Sequence, residues 1–157
     1  MNISADLVAP CSPDELYGWV DDLSRYPQWM GLVHRADRLN DDQVGRPVWN
    51  VELRAHIGPF SRSKRLTMTR TVGASDGDSI GQEQSTAVFE RTETDGRRHS
   101  VWRLSVTVVP ADAGSRLDMN LHYGGALWTG GVVERALNDE IAASRQRLLN
   151  LIGETRR

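Results

Sequence analysis

The sequence holds one cysteine, Cys11, in 157 residues. A single thiol excludes an internal disulfide framework and a cysteine-rich zinc site. Lysine is almost missing: Lys64 is the one lysine among 19 basic residues. That bias marks a GC-rich genome and says little about chemistry. With 21 acidic residues the formal net charge is −2, so no overall basic surplus points to nucleic acid or anionic lipid. No apolar run approaches the length that crosses a bilayer, so no integral membrane segment is expected. Met1-Asn2-Ile3-Ser4-Ala5-Asp6 carries no basic stretch leading into an apolar one, and a cytoplasmic location is the expectation. Aromatic residues are few and skewed, with five Trp against two Phe and three Tyr.

The length fits one domain, taken as residues 1–157, and 39% apolar residues support a lean core. Residues 2–9 alternate, with Ile3, Ala5, Leu7 and Ala9 on one side, which reads as a half-buried strand. Ser12-Pro13-Asp14-Glu15 is a helix start: a capping serine, a proline at the first helical position and a glutamate three residues on. Leu16, Trp19, Val20 and Leu23 then form one apolar helix face. Tyr26-Pro27-Gln28-Trp29-Met30 breaks this pattern, and a second short helix is expected there. From Leu32 to Tyr123 the period is two. Turn signals at Asn40-Asp41-Asp42, Gly58-Pro59, Asp76-Gly77-Asp78, Asp95-Gly96 and Asp112-Ala113-Gly114 divide it into six strands. These are expected at 32–39, 46–57, 60–72, 80–92, 97–109 and 115–125, as an antiparallel meander. After Trp128-Thr129-Gly130-Gly131 the helical period returns, with Val133, Leu137, Ile141, Ser144, Leu148 and Leu151 in one stripe. The fold class is therefore α+β: a seven-stranded antiparallel sheet wrapped around a long C-terminal helix, with two short helices between the first two strands. One helix on so wide a sheet leaves space beneath it.

The register of each strand names the side chains that face that space. They are Trp49, Val51 and Leu53 on the third strand, and Leu66 and Met68 on the fourth. Phe89 lies on the fifth, Trp102, Leu104 and Val106 on the sixth, and Met119, Leu121 and Tyr123 on the seventh. Val133, Leu137 and Ile141 face it from the long helix. Such a lining suits a hydrophobic small molecule. Arg70 and Tyr123 share the inward register and are the candidates for polar or catalytic work, because a buried guanidinium or phenol needs a partner. His34, His56, His99 and His122 are scattered without metal-ligand spacing or a nearby carboxylate pattern, so neither a metal nor another cofactor is expected.

Several of these segments resemble a known superfamily. They are the N-terminal strand, the helix Ser12-Pro13-Asp14-Glu15-Leu16-Tyr17-Gly18-Trp19-Val20, and Asp22-Leu23-Ser24-Arg25-Tyr26-Pro27-Gln28-Trp29. Phe89-Glu90-Arg91-Thr92-Glu93 and Ser100-Val101-Trp102-Arg103-Leu104 add to them. Together they resemble the START/Bet v1-like (SRPBCC) superfamily, in particular its polyketide cyclase/dehydrase and lipid-transport proteins. The resemblance implies a helix-grip fold with a hydrophobic cavity, and it places Tyr26 and Trp29 near the cavity entrance. Fold does not settle function in such a group. Binding or transport of a lipid, polyketide or isoprenoid-like molecule is the leading expectation. A cofactor-free polyketide aromatase/cyclase is the second, and an interaction module with a vestigial cavity the third. The oligomeric state is left open by the sequence.

Overall fold

The computed structural model describes residues 2–57, 59–73, 84–124 and 131–155, with backbone alone at 57 and 131–134. The elements are β1 (Asn2–Ala9), α1 (Pro13–Val20), a 3-10 segment (Leu23–Gln28), β2 (Val33–Arg38), β3 (Val48–Ile57), β4 (Phe60–Val72), β5 (Ser85–Arg91), β6 (Trp102–Ala111), β7 (Gly114–Tyr123) and α2 (Gly131–Thr155). The expected second helix is thus a tight 3-10 turn. Asp22 caps its start by accepting from Ser24 N at 2.9 Å, and Pro27 inside it has no N–H to continue an α-helical ladder. Trp128, Thr129 and Gly130, residues 80–83 of the expected fifth strand, and the Val133 side chain lie outside the described residues.

The strands form one antiparallel sheet in the order β1-β7-β6-β5-β4-β3-β2. The chain starts at one edge, crosses to the other through α1 and the 3-10 segment, and meanders back until β7 meets β1. Register carries the sequence alternation onto a single face. Ile3 sits opposite Leu121, Leu7 opposite Leu117, Leu104 opposite Leu121, and Val51 opposite Leu66. Because directly opposed residues share a face, these positions build one continuous apolar surface.

Among the described residues, three elements cover that surface. Ser12 Oγ accepts from Glu15 N at 3.2 Å and starts α1, which packs on β5, β6 and β7 through its apolar side. The 3-10 segment sets Tyr26 against Phe89, with ring centroids 6.3 Å apart, and against Trp29 at 4.8 Å. Trp49 meets the other side of Phe89 at 5.7 Å. Each polar tip in this group is used. Tyr26 donates to Val20 O at 2.7 Å, Trp29 Nε1 to Trp19 O at 3.3 Å, and Trp49 Nε1 to Ser24 Oγ at 2.8 Å. The third element, α2, is 25 residues long and contacts β1 and β3, strands from opposite halves of the sheet. It spans the sheet as a bridge.

The tight β6–β7 turn depends on Gly114, whose φ is +142°, and a Cβ there would strike the backbone of Ala9 and Cys11. Gly114→Ala is expected to lower stability by about 2–3 kcal/mol through strained backbone and displaced β1, read by urea denaturation. A loss under about 0.5 kcal/mol, the range of neutral surface changes, would show that β1 relaxes freely.

Candidate functional site

Beneath the α2 bridge lies a cavity of about 130 Å³. The sheet supplies Ile3, Leu7, Val51, Leu53, Leu66, Met68, Trp102, Leu104, Leu117, Met119 and Leu121. Leu137, Ile141 and Leu148 close it from α2, and Tyr26, Trp29, Met30 and Leu32 from the 3-10 segment and the loop that follows. Ile3, Met30, Leu32, Leu104, Met119, Leu121 and Ile141 face this space and still keep partial solvent exposure. Among the described residues the cavity is only partly enclosed. Its lining offers dispersion and burial, with few groups able to orient a polar ligand.

The structure brings Val51, Leu53, Leu66, Met68, Trp102, Leu104, Met119, Leu121, Leu137 and Ile141 together on this wall, where alternation puts them. Trp49, Phe89, Val106 and Tyr123 share the inward register but are packed in the core off the wall. The 3-10 segment lies over Trp49 and Phe89. α1 occupies its share of the β5–β7 face, and Val106 is fully buried. Tyr123 stacks on Trp102, with centroids 5.1 Å apart and planes 20° from parallel. Tyr26 and Trp29 are inner-wall residues and not a rim, being 0% and 2% exposed. Burial, with Asp21 nearby, holds the Tyr26 phenol well above the usual range, so it stays a neutral donor.

Arg70 also departs from expectation. It keeps the register of Leu66 and Met68, yet its Nη1 donates to Asp21 O at 3.0 Å and lies 3.8 Å from Asp21 Oδ2. Asp21 is the C-cap of α1, so Arg70 places positive charge at the negative end of that helix. Partial burial raises the Asp21 carboxyl above its ordinary value, and Arg70 is the largest opposing influence. The candidate for ligand chemistry is a helix-terminating residue here.

Alternation missed the polar margin of the cavity, which lies on α2. Ser144 is buried and its hydroxyl donates to Glu140 Oε1 at 3.4 Å. Arg147 holds the same carboxylate at 3.1 Å and donates to Trp29 O at 3.0 Å. Gly31 fits under this pair because a Cβ there would meet both side chains. On the other flank Arg145 reaches Asp6 O at a long 3.4 Å. The helical stripe through Leu137, Ile141, Ser144 and Leu148 carried the signal for Ser144. Nothing in the pattern marked Met30, Leu32 or Arg147.

Carboxylates do approach one histidine, contrary to the reading of the sequence. His99 Nε2 lies 2.9 Å from Glu93 Oε2 and 2.8 Å from Asp95 Oδ1. Arg91 donates to His99 Nδ1 at 3.0 Å, which leaves Nε2 as the proton carrier facing the two acids. The hydrogen bond from His99 holds Asp95 below the usual carboxylate range. A guanidinium inside the cluster opposes a second cation, so the group works as a clasp on the β5–β6 connection.

No protein-family model matches the chain, and no curated protein sequence matches it either. Solved structures do. A START superfamily protein from Mycobacterium smegmatis superposes with a TM-score of 0.69 at 15% identity, covering 98% of each chain. Human StAR-related lipid transfer protein 5 gives 0.78 at 9% identity, over 99% of this chain and 77% of its own. The Zhui aromatase/cyclase from Streptomyces sp. R1128 gives 0.66 at 11% identity, over 100% and 96%. At such identities the likeness is one of fold. The chain has the START-like, helix-grip fold.

Arg70→Met is expected to cost about 1 kcal/mol at pH 7 by denaturant titration, a value reduced by solvent screening. The sign with pH follows from Asp21. A carboxyl raised in the folded state favours folding below its unfolded value of 3.8 and loses that contribution as pH rises through the folded value. Removing Arg70 raises the carboxyl further, so the cost shrinks below pH 3.8, where Asp21 is protonated in both states. An equal cost at both pH values would separate Arg70 from Asp21.

Proposed function

We propose that this protein binds a hydrophobic small molecule between α2 and the concave face of the sheet. The observation that carries the reading is the partly enclosed cavity with its almost wholly aliphatic and aromatic wall. The similar structures include one named for lipid transfer and one named as an aromatase/cyclase, and both names are compatible with such a space. Size narrows the ligand. An apolar void of about 150 Å³ holds a molecule the size of benzene. A cavity near 130 Å³ thus encloses one ring or a short alkyl or isoprenoid piece, with the rest of a longer ligand leaving where the enclosure is incomplete. Carriage of such a molecule fits better than cyclisation, because Arg70 and Tyr123, the expected polar helpers, stand off the wall. The residues offered as the contact set are Leu53, Leu66, Met68, Trp102, Leu104, Leu121, Leu137 and Ile141.

Native mass spectrometry after mild purification is expected to show a retained lipophilic species, and an aryl or isoprenoid panel to raise the melting temperature. Leu104→Arg should weaken uptake at least about tenfold, since a charge in an apolar wall costs several kcal/mol. Glu52→Arg, on the opposite face of β3, should leave uptake unchanged. Tryptophan fluorescence gives a direct readout, because Trp29 and Trp102 both lie on the wall. Absence of any bound species together with no thermal shift across the panel would overturn the reading.

A further inference from the structure

The net charge of −2 conceals a strongly uneven surface. From Leu53 to Arg65 the sequence carries Arg54, Arg62, Lys64 and Arg65 and no acidic residue. This is the β3–β4 hairpin, and its outer half extends beyond the rest of the sheet. β3 pairs with β4 out to Phe60, whereas β5 pairs with β4 only from Met68 onward. The β5–β6 connection fills the gap beside it. Lys64 Nζ donates to Ser100 Oγ at 3.1 Å, and Thr67 N donates to Glu93 at 3.2 Å. In that connection His99 Nε2 engages Glu93 and Asp95, so both acids are paired although Asp95 stays exposed. The turn at Gly96, with φ of +77°, leaves Arg97 and Arg98 exposed.

Each of these two neighbouring segments also shows a large apolar side chain to solvent. Phe60 at the hairpin tip is 68% exposed, and Val101 is 57% exposed. The surface adjoins the cavity wall directly. Trp102 follows Val101 in the chain, and Lys64 Nζ sits 5.6 Å from the Trp102 ring centroid. Burial, with the repulsion of Arg91, lowers the Lys64 ammonium from its ordinary value, which accords with a region of positive potential.

We infer that the β3–β4 hairpin and the β5–β6 connection form a docking surface for an anionic lipid bilayer. Apolar tips backed by cations match an interface in which hydrocarbon lies under a layer of phosphate. Phe60 and Val101 enter the acyl boundary, while Arg62, Arg97 and Arg98 stay among the headgroups. Each cation near such a surface adds about 1 kcal/mol, and the attraction fades within a Debye length. A nucleic acid would answer the charges and find a stacking face on Phe60, but it has no partner for the exposed aliphatic Val101. The docking surface is independent of what the cavity holds, because vesicle binding is read without a ligand.

The test is co-sedimentation of the whole chain with vesicles of phosphatidylcholine and phosphatidylglycerol in a two-to-one ratio, against phosphatidylcholine alone. Binding to the anionic vesicles, weakened by added salt and absent with the neutral ones, is the expected result. Phe60→Ser should lower the partition about tenfold, given the burial worth of a phenylalanine. Arg97→Glu/Arg98→Glu should lower it more than tenfold by reversing two charges. Val44→Ser, an exposed valine in the β2–β3 loop, should change nothing. Melting curves verify that each variant folds. No binding to either vesicle, equal binding to both, or undiminished binding by folded Phe60→Ser would overturn the proposal. Tighter binding to a single-stranded oligonucleotide than to the anionic vesicles would also overturn it and assign the surface to nucleic acid.

Discussion

The interior is organised around the wedge that Tyr26 drives onto Phe89. A short 3-10 segment with one fully buried phenol occupies part of the concave face that α2 would otherwise have to cover. Its hydroxyl is held by the last turn of α1, so the wedge and the first helix are one unit. Trp29 and Trp49 brace the wedge from two sides and give their indole N–H groups to the same unit. This packing decides which of two equivalent sets of inward side chains becomes solid core and which becomes cavity wall. Phe89 and Trp49 fall under the wedge. Leu104 and Leu121, in the same kind of register, do not.

That division explains what the sequence could and could not say. Alternation identified the apolar face of every long strand, because the period of two is local and a slip of one residue would invert the whole set. It also marked the helix starts, through Ser12 and Pro13, and the stripe of α2. It could not place the segment between α1 and β2 on the face. So Trp49, Phe89 and Val106 shared a pattern with true wall residues, and Tyr26 and Trp29 looked like residues of an entrance. Arg70 was misplaced for a related reason. Its register is inward, but a long flexible side chain goes to the nearest partner, and the end of α1 lies closer than the cavity. Met30 and Leu32 carry no period at all, and only the path of the loop brings them to the wall.

Charge shows the same limit. A net value near balance describes solubility but not distribution, and the fold sorts acids and bases by position. Glu93 serves the largely buried Arg91 side chain, and Glu140 serves Arg147 on the flank of α2. Their charges are thus spent on fixing loops against the sheet and against α2. The arginines left outward give one end of the sheet a sign opposite to that of the whole chain. The flanks of α2 show how such fixing can be graded. Arg147 is doubly bonded to Glu140 and Trp29 O, while Arg145 makes one long contact to β1. The helix is therefore held more firmly on the loop side than on the β1 side.

The pairing of β1 with β7 has a consequence for how the molecule comes into being. Asn2 meets His122 across 120 positions of chain. β1 leaves the ribosome before β7 and must wait for it to gain a strand neighbour, since among the described residues the other side of β1 is a sheet edge. Closing so long a loop delays the reward of its contacts, and a topology rich in such pairs folds slowly. During that wait Ile3, Ala5 and Leu7 remain an unpaired apolar strand. The alternating Asn2, Ser4 and Asp6 keep one side of it polar and hydrated in the interval, which blunts its tendency to pair with another chain.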